Sequence, residues 1–158
     1  MNQITEGIIK MQFVSPTLKK IESFKVAGLS VRTQNSDEFD EKKAKLPKLW
    51  QDFYSSNLAR DASLYGVYSD YACGTQGLYT VTVGVNIDDS EDKSDSVTIQ
   101  AGNYLVFQGK GPMPSTVIET WKRVWDYFTK ESPYQRSYST DFELYSHADE
   151  VAIYIGVN

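Results

Sequence analysis

Along residues 18 to 34 apolar and polar positions alternate, with Val26, Leu29 and Val31 around Gly28, which predicts a strand with a bulge or a close backbone approach at the glycine. Residues 1 to 17 read as a lead-in. Asn35-Ser36-Asp37 then offers N-cap chemistry, and Phe39, Leu46, Leu49, Trp50 and Phe53 recur at three- and four-residue spacing, which predicts an amphipathic helix. Pro47 lies inside that pattern, so either the helix kinks there or its regular part starts near Leu46 with the proline in the first turn. Between Ala62 and Asn86 two apolar runs, Tyr65–Tyr68 and Leu78–Val85, flank the glycine-bearing stretch Ala72–Gly77 and predict a hairpin. Residues 88 to 96 are acidic and free of apolar side chains, so they read as a solvated loop and as the seam of the chain.

Beyond the seam a strand is expected from Val97 to Gln108, followed by a turn at Gly109–Pro114. Thr116 with Glu119 has the spacing of a capping box, opening a helix that carries Val117, Ile118, Trp121, Val124, Trp125 and Phe128 on one side. Strands over Ser137–Ser146 and Glu150–Val157 close the chain. The order is strand, helix, strand, strand, twice. Short echoes accompany it: Tyr68-Ser69-Asp70 against Tyr145-Ser146-His147, and Val83-Gly84-Val85-Asn86 against Ile155-Gly156-Val157-Asn158. A half of about 70 residues leaves a sheet edge and an apolar face open, and pairing two halves closes both. The expected fold is therefore α+β. It is a single domain over 1–158, built as a pseudo-twofold repeat of about 18–87 and 97–158, with one antiparallel sheet and a groove between two helices on one face.

Composition narrows the function. The 158 residues are 41% hydrophobic and 23% charged, which excludes a disordered polar tract, and no apolar run approaches the roughly 20 residues of a membrane span. Met1–Glu6 lacks a basic n-region, so a cytoplasmic protein is expected. Sixteen Lys and Arg against 21 Asp and Glu give a net charge of -5, which disfavours nucleic-acid backbones and anionic lipid and favours a cationic partner. One cysteine, Cys73, and one histidine, His147, exclude an intrachain disulfide and a structural zinc site, and no cofactor is expected. Eleven Tyr, 7 Phe and 3 Trp amount to 13%, an excess that serves either a core or a ligand cage.

Catalytic sets are sparse. His147 sits near a turn, Cys73 has no neighbouring base, no serine has a Gly-x-Ser-x-Gly setting, and Gly109-Lys110 lacks the earlier glycine and following Ser or Thr of a phosphate loop. Glu143 is the exception. It lies in a predicted strand between Phe142 and Leu144, sharing a face with Asp141 and Tyr145. A carboxylate on a half-buried face needs compensation, and the residues leave open whether a ligand cation or a Lys or Arg of the protein supplies it. Among the aromatics, Trp50, Trp121 and Trp125 fall on helices where a stripe packs on the sheet, whereas the strand tyrosines Tyr68, Tyr79 and Tyr145 each offer a ring face and a hydroxyl. The repeat alignment places Gly66 where the second half has Glu143, so one half supplies charge and the other room.

Val26–Thr33, Leu49–Phe53, Tyr65–Tyr68, Tyr79–Val85 and Phe142–Tyr145 followed by Val151–Ile155 together resemble the GyrI-like effector-binding domain, over roughly residues 18 to 158. That domain ends AraC-type and MerR-type multidrug-responsive regulators and also occurs alone, including in integron cassette proteins. The resemblance implies a tandem pseudo-dimer whose inter-helix groove binds amphipathic, often cationic, aromatic molecules. Glu143 then matches the family's cation partner, with Tyr68, Tyr79, Tyr145, Trp50, Phe107 and Trp121 as ligand contacts. No helix-turn-helix precedes the domain, so a stand-alone binder is implied, with any transcriptional control carried by a separate DNA-binding protein. Two further activities occur among such proteins. One is hydrolysis of strained electrophiles, with Glu143 and Tyr79 or Tyr145 as acid and base. The other is a gyrase-inhibitory protein-binding surface, for which the acidic loop 88 to 96 would serve.

Overall fold

The computed structural model describes residues 15–56, 63–87, 96–130 and 132–158. The β-branched, alternating segments form eight strands: β1 (Thr17–Ile21), β2 (Phe24–Thr33), β3 (Leu64–Ser69), β4 (Tyr79–Ile87), β5 (Ser96–Ile99), β6 (Gly102–Lys110), β7 (Arg136–His147) and β8 (Glu150–Val157). They make one sheet in the order β1-β6-β8-β7-β3-β4-β2-β5, in which every neighbouring pair is antiparallel. With β1 to β4 taken as the counterparts of β5 to β8, this order reads the same from either end, and β3 and β7 meet at its centre.

Two expected strands divide. Residues 18 to 34 become β1 and β2, and 97 to 108 become β5 and β6, because in each half the short leading strand pairs with the opposite half. Thr17 lies opposite Val106, and Phe24 lies opposite Ile99. Alternation continues through the break, so periodicity does not reveal it. The close approach at Gly28 is present: its Cα partner is Gly84, and a Cβ at Gly28 would lie 1.8 Å from the Val83 carbonyl oxygen. The acidic loop falls outside the described residues except for Ser96, which opens β5.

The helices also depart from expectation in detail. The N-cap signal at Asn35 yields only the four-residue α1 (Asn35–Glu38), and the regular helix α2 (Leu46–Ser55) begins with Pro47 in its first turn. Glu38 bridges the two by accepting the backbone N–H groups of Lys45 and Leu46 at 3.1 and 3.2 Å, which caps donors that α2 cannot satisfy internally. Helix α3 (Ser115–Thr129) starts after Pro114 with no side-chain cap, and Thr116 lies inside it, so the Thr116/Glu119 capping box does not form. The buried stripe of α3 runs through Thr120 and Val124, while Ile118 is 49% exposed. Thr120 fits there because Gly109 beneath it carries no side chain; a Cβ would come within 2.3 Å of the threonine hydroxyl.

Helix α2 packs Leu49 and Phe53 on Tyr79, Val81 and Val83, and α3 packs Val124 on Phe107, Ile153 and Ile155. Both helices therefore cover the same face. Direct cross-strand partners run across that face as Leu29, Val83, Gly66, Glu143, Ile153 and Phe107. The ends of this row lie under helices and its middle, Gly66 with Glu143, lies between them. The opposite face buries Val26, Val67, Ile99, Tyr104 and Phe142. Among the described residues no helix is long and apolar enough to cross a membrane.

Candidate functional site

The site starts from the central pairing of β3 with β7, which sets Gly66 directly opposite Glu143. The two positions equivalent in the sequence repeat are thus neighbours in space. A Cβ on residue 66 would lie 2.9 Å from Glu143 Oε1 and 3.3 Å from the Trp50 ring, so the missing side chain is what admits both.

Glu143 is 4% exposed, and three side chains converge on it. Tyr145, two residues along the same strand face, donates its hydroxyl to Oε1 at 2.8 Å. Tyr68, diagonally across on β3, donates to Oε2 at 2.9 Å, and Trp121 of α3 donates its indole N–H to the same oxygen at 2.6 Å. Trp50 of α2 sets its ring edge-on to Tyr145 at 5.4 Å, Trp121 packs at 5.2 Å from Tyr68, and Tyr79 stands behind Tyr68 at 5.6 Å. The Tyr79 hydroxyl is turned away, donating to Asn35 Oδ1 at 2.7 Å. Both helices and both central strands contribute.

The electrostatics of this carboxylate are unusual. Burial raises the Glu143 pKa above the ordinary carboxylate range, and its hydrogen bonds from Trp121, Tyr145 and Tyr68 offset only part of that rise. Burial, and then the charge of Glu143, pushes Tyr68 and Tyr145 well up, so both stay protonated and donate. All three donors are neutral, and no described Lys, Arg or His pairs with Glu143. Asp141, two residues away on the same face, shows the alternative. It is fully buried but bonds Arg136 Nη2 at 2.7 Å, the Gly156 N–H at 2.8 Å and the Tyr71 hydroxyl. One carboxylate is neutralised within the protein and the other is only solvated by dipoles.

The structure thus brings Tyr68, Tyr145, Trp121 and Trp50 around Glu143, with Tyr79 one ring further back. It places Phe107 elsewhere on the row, 2% exposed under α3 and against Tyr127 and Phe128. Sequence reasoning put Trp121 with the packing stripe; the structure shows its indole N–H serving the carboxylate as well. The Arg136–Asp141–Tyr71 network escaped it, although the period-two placement of Asp141 beside Glu143 was a usable signal. His147 is exposed and 3.8 Å from Glu150, and Cys73 is exposed and free. Among the described residues no three His, Cys, Asp or Glu are grouped to hold a metal ion.

Residues 17–157 match the family described as Cass2, integron-associated effector binding protein. YobU of Bacillus subtilis, a candidate transcriptional regulator protein, is 33% identical over 130 residues, covering 75% of this chain and 79% of its own. An integron cassette protein from the mobile metagenome of Vibrio cholerae, VCH_CASS2, superposes with a TM-score of 0.80 at 36% identity, over 92% of this chain and 97% of that one. SAV2435, solved bound to tetraphenylphosphonium, shares the fold with a TM-score of 0.74 at 20% identity, over 92% and 94% of the two chains.

Proposed function

Because the chain belongs to the integron-associated effector-binding protein family, we propose that it binds an amphipathic aromatic cation, whose charge meets Glu143 between Trp50, Tyr68, Trp121 and Tyr145. The observation that carries this reading is the buried Glu143 carboxylate whose hydrogen-bond donors are all neutral. Burying an ionised carboxylate costs several kcal/mol unless an opposite charge compensates it, and the neighbouring Asp141 has such a charge from Arg136 while Glu143 has none. A ligand cation would supply it. Ring faces around the carboxylate add attraction for a weakly hydrated organic cation, roughly 0.5 to 2 kcal/mol for each well-placed ring. The bound tetraphenylphosphonium of SAV2435, an aromatic cation on the same fold, supports the ligand class.

The test is Glu143→Gln, which keeps shape and removes charge. A charge-assisted contact is worth about 1.5 to 3 kcal/mol, so the variant should bind phenyltrimethylammonium on the order of 10- to 100-fold more weakly. Its uncharged isostere tert-butylbenzene should lose little. Equal losses for the two ligands would remove the cation from the reading.

The raised pKa of Glu143, with Tyr68 and Tyr145 in hydrogen-bond contact, favours one second reading: general acid–base attack of water on a bound electrophile. Mass spectrometry after incubation separates the two. A binder returns each compound intact, and a hydrolase returns it heavier by one water.

A further inference from the structure

The groove between the long helices has two unlike ends. Helix α2 starts beside the end of β2, where Lys45 Nζ reaches the Arg32 carbonyl at 2.9 Å, and runs toward Tyr145, which Trp50 meets edge-on. Helix α3 runs the other way. Its first turns lie over Gly109, where an added Cβ would meet Thr116 and Thr120, and Gly109 pairs with Val151, next to the β7–β8 turn just past Tyr145. Trp121 then reaches Glu143, and Trp125 lies one turn further on. At that far end the Phe39 ring reaches across from the end of α1 to meet Trp125 at 6.0 Å, so the two halves touch over the groove. Among the described residues no ring contact joins α2 to α3 at the Tyr145 end.

Two large hydrophobic side chains stand open at the Tyr145 end. Tyr54, one turn beyond Trp50 on α2, is 61% exposed, and its ring is inclined by 30° to the Trp50 ring at 5.9 Å. Ile118, one turn before Trp121 on α3, is 49% exposed. A single exposed hydrophobic residue needs no explanation, but these two continue the walls of the cage outward, one on each helix. Burial and then the Glu143 charge push the Tyr145 hydroxyl up, and the Tyr54 phenol adds to the rise, which sets Tyr54 within electrostatic reach of the cage floor. The charges beside them are paired within their own helices, Lys48 with Asp52 at 2.8 Å and Lys122 with Glu119 at 3.5 Å, so the rim offers ring and methyl surface.

We propose that Tyr54 and Ile118 form an outer subsite for a second aromatic ring, so that the ligand is an elongated cation with its charge at Glu143 and its apolar body directed out past Tyr145. The proposal rests on the aromatic-cation reading and adds a direction and a length to it. A ring in this place has a tyrosine on one helix and an isoleucine side chain on the other, contacts that a compact cation cannot reach. The Phe39–Trp125 contact closes the opposite direction.

Titration of phenyltrimethylammonium and of 4-biphenylyltrimethylammonium, followed by tryptophan fluorescence, tests the subsite through the ratio of the two affinities. The wild-type protein should favour the longer cation on the order of tenfold, and Tyr54→Ala should lower that ratio about fivefold, the size of one aromatic contact. Tyr54→Phe, which keeps the ring, should keep the ratio. Phe39→Ala, at the closed end, should leave it unchanged. In NMR spectra of the complex, the outer ring should show nuclear Overhauser contacts to the Ile118 methyl groups. Glu143→Gln should weaken both cations alike, and the uncharged pair tert-butylbenzene and 4-tert-butylbiphenyl should show the same ratio and the same drop in Tyr54→Ala. A Glu143→Gln protein that held both cations as tightly as the wild type would remove the charge from the reading, and the uncharged pair then decides the subsite alone. Equal wild-type affinities, a ratio that survives Tyr54→Ala in a protein of unchanged circular dichroism, a ratio lost in Phe39→Ala, or outer-ring contacts to Trp125 in place of Ile118 would each overturn the proposal.

Discussion

Glu143 and Asp141 project from one strand face, are both buried and carry the same functional group, yet their surroundings assign them different work. Arg136 turns Asp141 into a structural ion pair that ties the start of β7 to Tyr71 and β8. Glu143 meets only neutral donors, and its pKa is raised by burial. The sign of the linkage follows. A folded-state pKa above the unfolded value of about 4.3 means that ionisation opposes folding, so this group's contribution to stability falls as pH rises through that interval. A cation prefers the ionised form, so its affinity should rise with pH through the raised folded-state value and then level off, with proton release on binding below the plateau. Calorimetry in buffers of different ionisation enthalpy measures that release. Tyr145→Phe removes a bond to the ionised form and should move the midpoint upward, while Glu143→Gln should give a flat profile.

The elements around the cage divide into those that hold it and those that face solvent. Helix α2 is held by Leu49 and Phe53, one turn apart on its inner side, and from the next position on the helix surface it presents Trp50 to the cage. Phe53 is fully buried, so Phe53→Ala should cost about 3 to 5 kcal/mol by leaving a cavity. For a chain of this size that lowers the melting temperature by roughly 6 to 20 °C, and α2 should loosen with it. Phe39, 74% exposed just after α1, should change stability by less than about 0.5 kcal/mol on the same substitution. Thermal denaturation of both variants checks the contrast; a similar loss in each would mean that α1 and its following turn hold the fold as firmly as α2.

At the scale of the molecule, the strand order ties the halves together twice. They share the central β3–β7 ladder, and each sends its leading strand to the far edge of the other, β1 onto β6 and β5 onto β2. The asymmetry of the proposed site follows from that symmetry and its breaking. Gly66 and Glu143 are counterparts beside the centre of the sheet, and only one of them carries a charge. The chain's net charge of -5 makes duplex DNA a poor partner, since phosphate binding needs clustered cations. A mobility-shift titration at physiological salt should show no complex at sub-micromolar protein, and a salt-sensitive shift in that range would contradict the expectation.

The amino-acid sequence by itself determined the element types, the helical patterns and the duplicated order, through local properties: periodicity and glycine and proline placement. Glu143 was marked out as a cation partner by the resemblance of its segment to a family motif, while its neighbours alone left a Lys or Arg partner open. The sequence also placed Gly28 at a close backbone approach and Gly66 opposite, in the repeat, to Glu143. Only the tertiary structure decided that 18 to 34 and 97 to 108 each break into two strands, because an alternating run looks the same whether it pairs with one half or with both. It likewise decided that Phe107 belongs under α3, that Trp121 donates to Glu143, and that Arg136 reaches Asp141 and not Glu143. Which of two nearby carboxylates receives the protein's own cation depends on where Arg136 comes to lie once β7 has paired with β8, with a register shift between Arg136 and Asp141, and side-chain periodicity does not report that shift.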